Sequence, residues 1–156
     1  DRGARVDPAH PGHQEDGLDV AVCAYNASTQ QLTFAGANMP LVLYNSDGLV
    51  KVHGDLYSIG GTFSTRKNVR FKNQVFDGSQ FDGFFMFSDG FQDQFGGGEN
   101  RKFMADPFFQ LLGKIAELSP DKQKEHLLKT FSEWKGETRQ IDDVLVIGCK
   151  FRSTDI

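Results

Sequence analysis

Four consecutive apolar residues, Phe84-Phe85-Met86-Phe87, run straight into Ser88-Asp89-Gly90. A strand with no polar face has to be covered on both sides, so this segment demands a layered fold and belongs in its middle. The turn that stops the strand carries a carboxylate, Asp89, aimed by a rigid element. A second run of the same kind, Asp142-Asp143-Val144-Leu145-Val146-Ile147-Gly148, opens on two carboxylates and reads as another buried strand. Two such strands, each with Asp at one end, can bring hard oxygen ligands together around a divalent cation. The 15 phenylalanines, against three tyrosines and one tryptophan, supply aromatic faces to pack between the layers.

The texture on either side of that strand differs. Upstream, short apolar or alternating runs at 18–25, 31–37, 41–44 and 49–53 are separated by Asn26-Ala27-Ser28, Asn38-Met39-Pro40 and Asn45-Ser46-Asp47-Gly48. Turn chemistry at such close spacing predicts an antiparallel meander, with Asp47-Gly48 its strongest hairpin signal. Residues 54–68 read as a long glycine-rich connection, and 69–76 alternate as a strand with one wet face. After Gly98 the period changes to that of a helix. Asp106 and Pro107 predict a start, with Phe108, Leu111, Leu112 and Ile115 on one face. Ser119-Pro120 predicts a second start, with Leu127, Leu128, Phe131 and Trp134 inward and Gly136 just past the end. Strands, then two helices, then a returning strand argue for an α+β fold built on antiparallel sheet.

The length of 156 residues fits one domain. Residues 1–15 have no apolar periodicity and read as a loop or disordered segment; the domain proper is placed at 16–152. There is no initiator Met, and the opening reads as the middle of a longer protein. A net charge of −4 without a basic run argues against nucleic acid and anionic membrane as partners. No apolar stretch approaches the roughly 20 residues of a membrane helix, so a soluble, cytoplasmic protein is expected. Cys23 and Cys149 sit in apolar runs and are expected to be free thiols in a reducing compartment.

Several other groups carry less. Gly96-Gly97-Gly98 lacks the helix and the Lys-Ser/Thr of a phosphate-binding P-loop and reads as a flexible flap. His10, His13 and Asp16 have a spacing that suits a transition metal, but on a segment read as loop. His53 and His126 read as surface residues, and Asp16 and Asp19 as holding the entry to a strand or lining a rim. No Ser-His-Asp or Cys-His order supports a side-chain nucleophile.

Asp16-Gly17-Leu18-Asp19, Phe34-Ala35-Gly36-Ala37-Asn38-Met39-Pro40, the run from Phe87 through Ser88-Asp89-Gly90 to Asp93-Gln94-Phe95-Gly96-Gly97, and Gln140-Ile141-Asp142-Asp143-Val144-Leu145-Val146-Ile147-Gly148 follow one another in a familiar order. In these motifs the chain resembles the C-terminal part of the SpoIIE-like branch of the PP2C metal-dependent phosphatases. The resemblance implies a PP2C-like sandwich of two antiparallel sheets with outer helices. It also implies hydrolysis of phosphoserine and phosphothreonine with two bridged Mn2+ or Mg2+ ions. On it, Asp89 and Asp142 match acids that ligate the same ion, Asp93 matches an acid near a more weakly held third ion, and Asp143 supports the turn. A metal-bridged water is the implied nucleophile, small bacterial phosphoproteins such as anti-sigma-factor antagonists the implied substrates, and an upstream sensor or relay domain the implied neighbour.

The resemblance also has a gap. In the family, the acid that bridges both metals and a further acid precede the first of these motifs, where this chain has only residues 1–15. The domain is therefore expected to be truncated at its N-terminus and to hold half an active site. The alternative expectation is a catalytically incomplete fragment serving as an interaction module, which self-associates through exposed sheet edges.

Overall fold

The computed structural model describes residues 17–60 and 69–151. The segment 1–15 and the groups His10, His13 and Asp16 lie outside them.

The meander forms where the turns predict it. After the short strand Gly17–Leu18 (β1) come Val20–Asn26 (β2), Gln31–Ala37 (β3), Leu41–Asn45 (β4) and Gly48–Val52 (β5), and then Ile59–Gly60 (β6), which pairs back onto β1. Gln74–Asp77 (β7) and Gly83–Phe87 (β8) follow. A single turn, Gly90–Asp93 (α1), leads into the small hairpin Phe95–Gly96 (β9) and Arg101–Lys102 (β10). Two longer helices, Ala105–Ile115 (α2) and Pro120–Lys135 (α3), precede the last strand, Val146–Lys150 (β11).

Two antiparallel sheets carry the fold, a four-stranded one in the order β11-β8-β4-β5 and a three-stranded one in the order β2-β3-β7. Period-2 alternation makes β4 and β8 central in both senses. Leu41 and Leu43 of β4 and Phe84 of β8 join Leu32, Phe34 and Val52 in the cluster between the sheets. Val42 and Tyr44, with Phe85 and Phe87, point the other way and meet Phe91, Phe108, Leu112 and Ile115 beneath the helices. Two cores on opposite faces of one sheet are what the unbroken apolar run of β8 requires, and each buried aromatic or leucine stabilises the stack by about 1.5–3 kcal/mol. Phe91 links the layers, stacking on Phe108 at 4.6 Å and meeting Phe103 and Phe131 at 5.2 and 5.1 Å. Among the described residues no helix is long and apolar enough to cross a membrane.

Five local expectations are corrected. The strand expected at 69–76 shrinks to β7, because the Asp55 carboxylate accepts the Lys72 N–H at 2.8 Å and holds that stretch as loop. The last strand begins at Val146 and forms an edge, with Leu145 57% and Ile147 45% exposed, because β8 is its sole strand neighbour among the described residues. Helix α2 starts two residues earlier than expected, with Met104 at its N-cap position and no side-chain cap, and Asp106 sits inside its first turn. On α3, Leu128 faces out while Gln123 is buried, its amide donating to the Ala116 and Leu118 carbonyls at 3.0 and 3.2 Å. Gly96 is no flap: it pairs with Arg101 in the β9–β10 hairpin and is buried against α3.

Cys23 and Cys149 are free and packed against the inter-sheet cluster. Burial pushes the Cys23 thiol up to about 11 and raises that of Cys149. That upward shift disfavours the reactive thiolate at neutral pH.

Candidate active site

The Ser88-Asp89-Gly90 turn is built around a partner more than fifty residues away. The Ser88 hydroxyl donates to the Asp143 carbonyl at 2.9 Å and accepts the Leu145 N–H at 2.9 Å, while the Ser88 N–H donates to the Leu145 carbonyl at 2.9 Å. Gly90 lies so close to the Asp143 carbonyl that a Cβ there would collide with it. Asp89 is thus bracketed by two residues that both rest on Asp143. Ser and Gly in this turn are explained by that approach, one as a latch and the other as a spacer.

The Asp89 side chain is exposed and makes no hydrogen bond or ion pair among the described residues. It opens into a cavity of about 350 Å3 whose wall also includes Asp19, Asn38, Lys51, His53 and Gln92. The Asp19 carboxylate is already engaged, accepting from Asn38 Nδ2 at 3.0 Å and from the Ser58 hydroxyl. It ties the start of β2 to two loops and lines the cavity as well. A larger cavity of about 660 Å3 between α3 and β11 is lined by apolar, neutral polar and basic side chains and, among the described residues, by no carboxylate.

Asp142 lies on the loop before β11 and is exposed; its Oδ1 accepts the Asp143 N–H at 2.7 Å, and its backbone carbonyl accepts from Gln140 Nε2 at 2.8 Å. The backbone of its segment is locked to the Asp89 turn through Ser88, yet its side chain does not line the cavity that holds Asp89. Asp93 follows on α1 and is ion-paired with Lys102 at 3.3 Å. Two carboxylates suit a hard cation in kind. In number they fall short, since among the described residues no group of three or more His, Cys, Asp or Glu side chains is placed to hold a metal.

Four contributors escaped the sequence reading. Ser88 and Gln94 act through partners distant in sequence. Gln94 is fully buried, donating from Nε2 to the Phe95 and Arg139 carbonyls at 2.9 and 3.1 Å while its own carbonyl accepts from the Trp134 indole at 2.9 Å. It pins the loop that leads to Asp142, although its Oε1 has no partner among the described residues. Lys51 and His53 line the Asp89 cavity from β5 and just beyond it. A basic residue in an alternating strand gives no sign, in sequence, of the cavity it faces.

The family described as stage II sporulation protein E (SpoIIE) matches residues 9–152. Among solved structures, the SiaA PP2C domain of Pseudomonas aeruginosa is similar at 25% identity and a TM-score of 0.72, over 86% of this chain and 51% of that one. Two crystal structures of a bacterial serine phosphatase, each with one arginine substituted, match at 17% identity and a TM-score of 0.51, over 79% and 80% of this chain and 49% and 50% of theirs. At that identity the likeness speaks for the fold alone. The chain spans about half the length of each of these structures. No curated protein matches the chain.

Proposed function

The chain belongs to the SpoIIE family of PP2C-type phosphatases, and on that premise we propose that it carries the Asp89–Asp142 portion of a metal-dependent serine/threonine phosphatase site. The observation that supports this reading is the bracketing of Asp89 by Ser88 and Gly90, both resting on Asp143. A turn that served only to reverse the chain would have no need of a second acidic segment seated on it.

In this reading Asp89 and Asp142 hold Mn2+ or Mg2+, and Asp93 joins them only by giving up Lys102. Such ions, when bound in a pair, supply a hydroxide nucleophile at neutral pH and neutralise charge on the phosphoryl oxygens. The chain's own residues contribute placement. Ser88 fixes the offset between the two acidic segments, and Gln94 fixes the approach to Asp142 from the Arg139 side. The rigid β8 strand holds the Asp89 carboxylate at the cavity mouth. The substrate in this reading is a phosphoserine or phosphothreonine of a bacterial signalling phosphoprotein, met in the cytoplasm and gated by an upstream sensor or relay domain.

The test uses the protein carrying this domain, assayed for Mn2+-dependent hydrolysis of p-nitrophenyl phosphate and a phosphoserine peptide. We expect turnover that falls at least 100-fold in Asp89→Asn. No metal-dependent turnover, or an unaffected Asp89→Asn variant, overturns the reading.

A second reading, a non-catalytic interaction module, is favoured by the shortage of acidic ligands among the described residues. It predicts weak Mn2+ binding by the 156-residue chain. Calorimetry that finds two tight sites would refute it.

A further inference from the structure

We propose that Lys51 and His53 form a phosphoryl-binding wall of the Asp89 cavity, taking the oxygens of a phosphomonoester dianion. The inference rests on the reading of Asp89 as a metal ligand and adds a substrate subsite to it.

The sheet puts these side chains on the right face. Lys51 is paired with Val42, and Val42 with Phe85, so the three form one row across β5, β4 and β8. Side chains in one row of an antiparallel sheet point to the same side. Val42 and Phe85 both lie in the core beneath the helices, and Leu49, two residues before Lys51, packs against that core. Lys51 therefore rises from the helix side of the sheet, and His53, just past β5, and Asp89, in the turn after β8, line the same cavity with it. Because β5 and β8 run in the same direction, β5 heads toward the end of the sheet where Asp89 stands. With neighbouring strands about 4.8 Å apart, β5 lies about 10 Å from β8, a gap that a lysine side chain and a phosphoryl group span together.

Charge gives the wall its purpose. The cavity contains two acids, and Asp19 is taken up by Asn38 and Ser58. A phosphomonoester dianion entering beside Asp89 needs fixed positive charge, in a chain whose net charge is −4. Lys51 supplies it, having no ion-pair or hydrogen-bond partner among the described residues. Lys102, on β10, is already engaged with Asp93. The His53 carbonyl accepts from Gln74 Nε2 at 2.8 Å, which anchors the backbone and leaves the imidazole to the cavity. Lysine acts here as a point charge and imidazole as a directional donor, a pairing suited to a tetrahedral anion with several acceptor oxygens.

Inorganic phosphate is titrated into the 156-residue chain with and without Mg2+, followed by amide chemical shifts. Shifts are expected at residues 51–54 and around Asp89. Lys51→Met and His53→Asn are each expected to weaken binding at least fivefold, Lys51→Arg to keep it, and Lys124→Met, in the larger cavity, to leave it unchanged. In the protein carrying the domain, Lys51→Met is expected to raise the KM for a phosphoserine peptide about tenfold with kcat within twofold. Unchanged phosphate affinity in Lys51→Met, shifts scattered over other lysines, or a fall in kcat with KM intact overturns the proposal. If the wild type hydrolyses nothing, the phosphatase reading fails while the phosphate titration still decides the subsite.

Discussion

Ser88 has both sides of its hydroxyl committed to one segment, giving a proton to the Asp143 carbonyl and taking one from the Leu145 N–H. Removing it unpairs two backbone groups next to the loop of Asp142, at a cost of about 1–3 kcal/mol. Ser88→Ala is therefore expected to raise the Mn2+ concentration for half-maximal activity at least tenfold, and Ser88→Thr, which keeps the hydroxyl, to restore it. Equal metal dependence in the two variants would reduce Ser88 to a structural role. The place of Asp89 is legible in sequence, because an apolar run that stops on Asp-Gly leaves a carboxylate at a strand end. The supports of the site are not. Ser88, Gln94 and Lys51 take their meaning from Asp143, Arg139 and the Asp89 cavity, none of them a neighbour in sequence.

At the scale of elements, the hairpin after α1 depends on a close approach. A Cβ on Gly96 would strike the Trp134 carbonyl, whereas one on Gly98 would meet nothing. Gly96→Ala is expected to destabilise the fold by about 1–3 kcal/mol and Gly98→Ala to stay within about 0.5 kcal/mol, read from urea midpoints. Similar midpoints would mean that the hairpin does not pack on α3 as described. The elements that sequence located well are those with local signals: the Asp47-Gly48 hairpin between β4 and β5, the alternation of β3, and the Ser119-Pro120 start and Gly136 end of α3. The ones it misplaced depend on neighbours. β11 reads as buried because Val144 to Ile147 are apolar, but burial on both faces and both edges needs covering elements that periodicity cannot count. Gln123 gives no sign in sequence of its burial, yet it satisfies two carbonyls where α2 turns toward α3.

At the scale of the whole molecule, helices cover the four-stranded sheet, and the other sheet turns a face outward on which Val22 and Val75 are 57% and 56% exposed. The four-stranded sheet ends on β11, whose far edge has no strand partner among the described residues, with Leu145, Ile147 and, on α3, Leu128 exposed beside it. An unpaired edge with apolar flanks is a template for another strand. The prediction for this edge is a second copy, since two β11 strands related by a two-fold axis would pair antiparallel and continue one sheet through both chains. Sedimentation of the 156-residue chain is expected to show a monomer–dimer equilibrium at tens of micromolar, by the usual strength of small interfaces. Ile147→Lys, which places a charge on the edge, is expected to shift it to monomer with the unfolding midpoint preserved, whereas Val75→Lys on the outer face of the other sheet leaves the dimer intact. A strict monomer at high concentration would show that the edge is not a pairing surface, and a dimer broken by Val75→Lys but not by Ile147→Lys would move the contact to the three-stranded sheet.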